Sequence, residues 1–92
     1  MPDFLVHDSR DTVGVAVTDL HAAQPARGVT LDSRTALELT ALQDIPLGHK
    51  IALRDFEIGD TVTKYGEDIG RVVAPIKKGE HVHVHNLKTK RW

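Results

Sequence analysis

The feature that most constrains this chain is an apolar pattern of period two, cut at short intervals by glycine and proline. Side chains on a strand alternate faces, so the pattern predicts half-buried strands. In TVGVAVT at 12–18, Val13, Val15 and Val17 share one face. Residues 4–7 form a shorter candidate strand, and the polar stretch 8–11 predicts a hairpin between the two. Residues 21–30 carry Pro25 and Gly28 without an apolar period and are expected to form a loop. Over 31–43, Leu37, Leu39 and Ala41 alternate, although a short helix also fits the leucines. The β-rich neighbours favour a strand. Pro46 and Gly48 predict a tight turn into a strand with Ile51 and Leu53 on one side. A turn at 57–60, a strand at 61–65 ended by Gly66, and a strand at 69–73 follow. Gly70 marks a bulge or a close backbone approach. The turn at 77–80 leads into a last strand, HVHVHN at 81–86. No internal repeat or low-complexity segment stands out. Six or seven short strands with little helix predict one compact all-β domain spanning 1–92.

A 92-residue chain holds a binding module. A substrate pocket of several hundred Å3 needs more wall than that, so chemistry here calls for a second chain or a second copy. Twelve Lys and Arg against 13 Asp and Glu disfavour a nucleic-acid partner. The absence of cysteine excludes disulfides, zinc–thiolate sites and thiol nucleophiles. No apolar run is long enough for a membrane partner, and no basic-then-apolar start suggests secretion. The cytoplasm is the expected compartment.

The segment 81–86 carries the sharpest chemical signal. On a straight strand His81, His83 and His85 would point one way, and Val82 and Val84 the other. Same-face neighbours lie about 6.5–7 Å apart at their bases. Two rings can lean onto one metal through bonds of about 2.0–2.1 Å, whereas three converge less easily. A His-x-His pair with one ligand from elsewhere is the expected cage. Imidazole suits zinc, iron, copper or nickel. His49, at the rim of a turn, can serve as the further ligand or as a proton-transfer group. Lys50 can bind a carboxylate, or act as a base where burial lowers its pKa. The plainer alternative is a solvated His face and a wet His-Lys turn. Lys64 or Glu67 can contact an acidic substrate or a partner, beside a core or half-buried Tyr65. Trp92 is expected to pack against the domain or a partner. His7 and His21 lack a partner pattern and are expected on the surface.

Four segments in order carry a resemblance: DTVGVAVTDL at 11–20, IPLGHKIAL at 45–53, KYGEDIG at 64–70 and GEHVHVHN at 79–86. Together they resemble the altronate dehydratase family, and within it the small N-terminal SAF domain as a free-standing small subunit. The resemblance implies a β-clip fold and removal of water from an aldonate to give a 2-keto-3-deoxy acid in hexuronate catabolism. It also implies a divalent metal, Fe2+ or Mn2+, and a large catalytic subunit as partner. A two-chain relative, sulfolactate sulfo-lyase, has an alpha subunit similar to this chain and expels sulfite instead of water. Galactarate dehydratase is more distant: it shares the Gly-His-Lys turn but lacks the His-x-His-Asn segment. His49 is therefore the family-wide site residue, and His83 and His85 belong to a subgroup. On this basis His49, His83 and His85 are the expected metal ligands. His49, Lys50, His85 and Asn86 are the expected catalytic groups, with Lys50 neutralising a substrate carboxylate and Asn86 orienting a His or holding a hydroxyl. The isolated chain is expected to be inactive, and a homo-oligomer fits as well. The competing classes are a non-catalytic carbohydrate- or metal-binding module and a structural assembly domain.

Overall fold

The computed structural model describes residues 1–89, so the expectation for Trp92 lies outside the described residues. They form nine short strands and no helix. These are β1 (Phe4–Val6), β2 (Val13–Ala16), β3 (Pro25–Thr30), β4 (Ala36–Thr40), β5 (Lys50–Ala52), β6 (Thr61–Lys64), β7 (Glu67–Val72), β8 (His81–Val82) and β9 (Leu87–Thr89). Six make one sheet in the order β4-β3-β1-β2-β5-β8, and three make another in the order β6-β7-β9. All pairings are antiparallel except β1 with β3.

The all-β reading and the β1–β2 hairpin hold, and 36–40 is a strand. The count is nine rather than six or seven, because 21–30 is not all loop and the chain after 86 adds β9. Pro25 opens β3, a position where its missing N–H is tolerated. Gly28 lies under Phe4: a Cβ there would come within 2.2 Å of the ring. Its inward residues Ala26, Gly28 and Thr30 are small or polar, so an apolar period is invisible in the sequence. Gly70 is a close approach, with a Cβ position 2.4 Å from the Lys88 carbonyl oxygen, and the register shift lies opposite it at Val62/Thr63.

Two apolar clusters share the strands. Phe4, Ala16, Ile45 and Ile51 belong to one, and Val13, Ala52, Val62 and Val82 to the other. Adjacent residues Ile51 and Ala52 are both fully buried on opposite faces, so β5 is clamped between the clusters. Val13 and Ala16 span both clusters in the same way. Val17 lies past the end of β2 and is exposed rather than sharing the buried face of Val13.

One corner recurs four times, although the sequence shows no repeat. It comprises a buried apolar residue, two turn residues, a residue with positive φ and a polar residue. The copies are 20–24, 45–49, 56–60 and 76–80. Leu20 bridges Ile45, and Phe56 bridges Ile76. The fourth position has φ of 68° at Ala23, 88° at Gly48, 94° at Gly59 and 92° at Gly79. The fifth residue's N–H closes each turn onto the second residue's carbonyl, as at His49 onto Pro46 (3.0 Å) and Glu80 onto Lys77 (2.9 Å). In two copies the fifth residue is an acid that also accepts the second residue's N–H: Asp60 from Glu57 (2.8 Å) and Glu80 from Lys77 (2.6 Å). In the copy at 45–49 the second residue is Pro46, which has no N–H to give. Its fifth residue, His49, is thereby released from bracing the turn.

Candidate functional site

His49 ends its corner one residue before β5. β5 pairs with β8 in a register that sets Ile51 opposite His81 and Lys50 opposite Val82. Directly opposed residues share a face, so His49, Ile51 and His81 lie on one side of the sheet. The same register carries His83 toward His49. Their ring centroids stand 4.0 Å apart at an interplanar angle of 19°. His49 and His81 share a hydrogen bond of 2.8 Å between Nδ1 and Nε2. One ligand nitrogen from each of His49, His81 and His83 lies within 4.8 Å of the others, and all three residues are half-buried.

Asn86 shapes this arrangement. It is buried, its Oδ1 accepts the His83 N–H (3.0 Å), and its Nδ2 donates to the His81 carbonyl (2.8 Å). The N–H groups of Asn86 and Leu87 both donate to the His83 carbonyl. These bonds end β8 at Val82 and fold 83–86 into a turn. The expected straight strand through Asn86 is therefore overturned. Val84, which a straight strand would bury with Val82, is 80% exposed.

Burial lowers the pKa of His81, with further lowering from His49, His85, His83 and Lys50. His83 is lowered by desolvation first, then by His49, Lys50 and His85. The lowering favours the neutral form of both rings, which offers a lone pair. Metal–nitrogen bonds of about 2.0–2.1 Å set neighbouring ligand nitrogens roughly 3 Å apart. The 2.8 Å pair has that spacing, and the third nitrogen stands within 4.8 Å, so a divalent cation would draw the His83 ring inward to complete the set.

A second constellation lies at the β6–β7 tip. Tyr65 has φ of 56°, and the buried Asp11 carboxylate accepts the N–H groups of Tyr65 (3.0 Å) and Gly66 (2.8 Å). Tyr65 is 59% exposed rather than core or half-buried, and stacks on His7 at 4.1 Å. The Lys64 ammonium lies 5.3 Å from the Tyr65 ring centroid.

Residues 2–90 match the family model described as the altronate/galactarate dehydratase SAF domain. The chain belongs to this family. It is 52% identical over 91 residues to the (2R)-sulfolactate sulfo-lyase subunit alpha of Chromohalobacter salexigens, covering 98% of this chain and 97% of that subunit. It is 43% identical over 79 residues to the altronate dehydratase of Escherichia coli, covering 86% of this chain but 15% of that enzyme. The galactarate dehydratase (L-threo-forming) of Escherichia coli is 34% identical over 77 residues, 13% of its length. These relatives are lyases, and the two-sheet all-β architecture agrees with the SAF β-clip.

In this SAF domain the structure brings His49 and His83 together, as the sequence reading required. The third member is His81, which that reading left out of its ligand set. Parity puts all three on one face and cannot choose among them; the β5–β8 register, which sets His81 opposite Ile51, does. His85 sits on the turn, exposed, with its ring 5.1 Å from that of His81 and outside the group of three. Lys50 is half-buried on the other face of β5, where burial and then Lys64 lower its pKa. The roles of Asp11 and His7 were missed, because a stack and a carboxylate brace between distant segments leave no local pattern.

Proposed function

We propose that the chain is the small subunit of a two-chain lyase that expels sulfite from a 2-hydroxy-3-sulfo acid, with a large catalytic subunit as partner. The observation that carries the reading is the end-to-end match with a sulfolactate sulfo-lyase subunit alpha. The site geometry supports it, because the half-buried imidazoles sit at one edge of the sheet, where another polypeptide can close over them.

In the proposed reaction the C2–H bond breaks and its proton passes to a base. The electron pair forms the C2–C3 double bond, and the C3–S bond breaks with its electrons leaving on sulfite. The enol product then loses its C2 hydroxyl proton and takes a proton at C3 to become the 2-keto acid. The lowered pKa values of His81 and His83 favour the neutral form that offers a lone pair to a cation, and His85, outside the group of three, is the imidazole left to take the C2 proton. Lys50 neutralises the substrate carboxylate, and Asn86 keeps the imidazoles in place through the backbone. His49, His81 and His83 would hold the divalent metal, Fe2+ or Mn2+, with His85 the next imidazole available. When bound, the cation supplies positive charge beside the charge that develops on the carboxylate.

A second reading is supported by the identity with altronate dehydratase. It has the same elimination with hydroxide leaving from C3 of an aldonate. Co-expression with a large chain of this family, followed by turnover assays on sulfolactate and altronate, tests both. Sulfite release supports the first reading, and a 2-keto-3-deoxy acid supports the second. Turnover of neither, or His49→Ala and His83→Ala variants within a few-fold of wild type, refutes the roles given to these residues.

A further inference from the structure

We propose that the open edge of β9, with the apolar groove beside it, is where the large subunit docks, through an extended segment that carries an apolar side chain and acidic residues. The inference deepens the lyase reading and rests on it for the identity of the partner.

The groove has a volume of about 430 Å3 and is walled by Val73, Val84, Leu87, Lys88 and Thr89. Val84 is 80% exposed and Val73 47%. Val84 stands outward because the Asn86 side chain, accepting the His83 N–H, folds 83–86 into a turn. A solvated valine held there adds nothing to the core of its own chain. It gains burial only against another molecule.

β9 is an outer strand of its sheet. Its register with β7 runs on into a 2.8 Å bond from the Val73 N–H to the Asn86 carbonyl. By alternation, Lys88 turns its backbone groups toward β7, and Leu87 and Thr89 turn theirs away. The Leu87 N–H is taken by the His83 carbonyl. The Leu87 carbonyl and the Thr89 N–H and carbonyl therefore face the open edge, at the spacing an added strand pairs with.

Charge chooses the occupant. No acid follows Glu80 in the sequence, whereas Lys88, Lys90 and Arg91 lie within four residues. An antiparallel pairing with the same edge of a second copy would set Lys88 directly opposite its counterpart, and like charges so placed destabilise the pair. Lysine on an edge blocks self-pairing in this way, and the same charge attracts an acidic segment. An apolar centre with a charged rim is the anatomy of a specific interface. Val84 lies between His83 and His85, so a chain seated on it stands beside the imidazoles and brings its own side chains to that site.

The test is calorimetric titration of the full chain with a large chain of this family, with amide hydrogen exchange as a second readout. Val84→Asp should weaken binding at least about tenfold. Lys88→Glu should weaken it and reduce its dependence on salt. Leu31→Asp, at an exposed leucine just past β3, should leave the affinity unchanged. Exchange of the Thr89 amide should slow at least about tenfold in the complex, as the added strand accepts its N–H. No complex, wild-type affinity in both Val84→Asp and Lys88→Glu, or unchanged exchange at Thr89 overturns the proposal. So does a dimer of the chain alone that Val84→Asp dissolves, which gives the edge to a second copy. Tighter binding by Trp92→Ala also overturns it, because the end of the chain itself then fills the groove. Turnover is scored separately. A complex that these variants weaken, but that releases neither sulfite nor a 2-keto-3-deoxy acid, keeps the docking edge and loses the reaction. Sulfite release with affinity unchanged in both variants does the reverse.

Discussion

Replacing Asn86 tests how the turn at 83–86 holds the site. Its amide makes two hydrogen bonds to backbone, one to the His83 N–H and one to the His81 carbonyl. A typical hydrogen bond contributes about 0.5–1.5 kcal/mol net, and a buried group left without a partner costs about 1–3 kcal/mol. Asn86→Ala removes both bonds and strands both backbone groups at a buried position. The expected loss is about 2–4 kcal/mol, against a total of about 5–14 kcal/mol for a domain of this size. About 4–8 °C per kcal/mol then puts the thermal midpoint roughly 8–32 °C lower. Asn86→Asp keeps the acceptor for His83 but sets a carboxylate against the His81 carbonyl, so it should also destabilise. Thermal melts followed by circular dichroism, with urea titrations for the free energy, measure the effect. A fall of less than about 2 °C for Asn86→Ala would show that the side chain does not hold the turn.

Three further outcomes are expected. Ala23→Gly should stabilise the fold by about 0.5–1 kcal/mol, since Ala23 has φ of 68° where the three later corners have glycine. An unchanged or lower midpoint in a thermal melt argues against strain there. The Arg10 side chain pulls the Asp8 carboxyl from 3.8 down to about 2. The folded pKa is the lower one, so this stabilisation is present above pH 3.8 and lost as pH falls through about 2. NMR titration of the Asp8 carboxyl should show its midpoint returning toward 3.8 in Arg10→Gln. His81→Ala should weaken Mn2+ or Zn2+ binding by the full chain at least about tenfold, because it removes one of three clustered imidazoles. Calorimetric titration with no change in affinity would remove His81 from the metal site.

Much of the fold was legible because its turns announce themselves. Gly48, Gly59, Gly66 and Gly79 all have positive φ, where the spacing of glycine and proline marked reversals. β3 was hidden because its buried face is Ala26, Gly28 and Thr30, small or polar residues of which Gly28 lies directly under Phe4. The imidazole cluster was half legible. Alternation brought out the His-x-His pair, but which pair meets His49 depends on the β5–β8 register and on where Asn86 ends the strand. The register is a long-range fact, and the strand end is a local side-chain cap that alternation does not register. Tyr65 was misjudged because a tyrosine after a strand residue reads as core, whereas the Asp11 brace turns it outward.

The fourfold corner has a consequence for how such a molecule acquires new chemistry. A scaffold that uses the same joint several times has spare fastenings, so one can be given up without collapse. Asp60 and Glu80 carry the side-chain fastening in two copies, and proline at position 46 leaves the fifth residue of its own copy free for another role. Variation at 49 should therefore be far better tolerated by the scaffold than variation at 60 or 80.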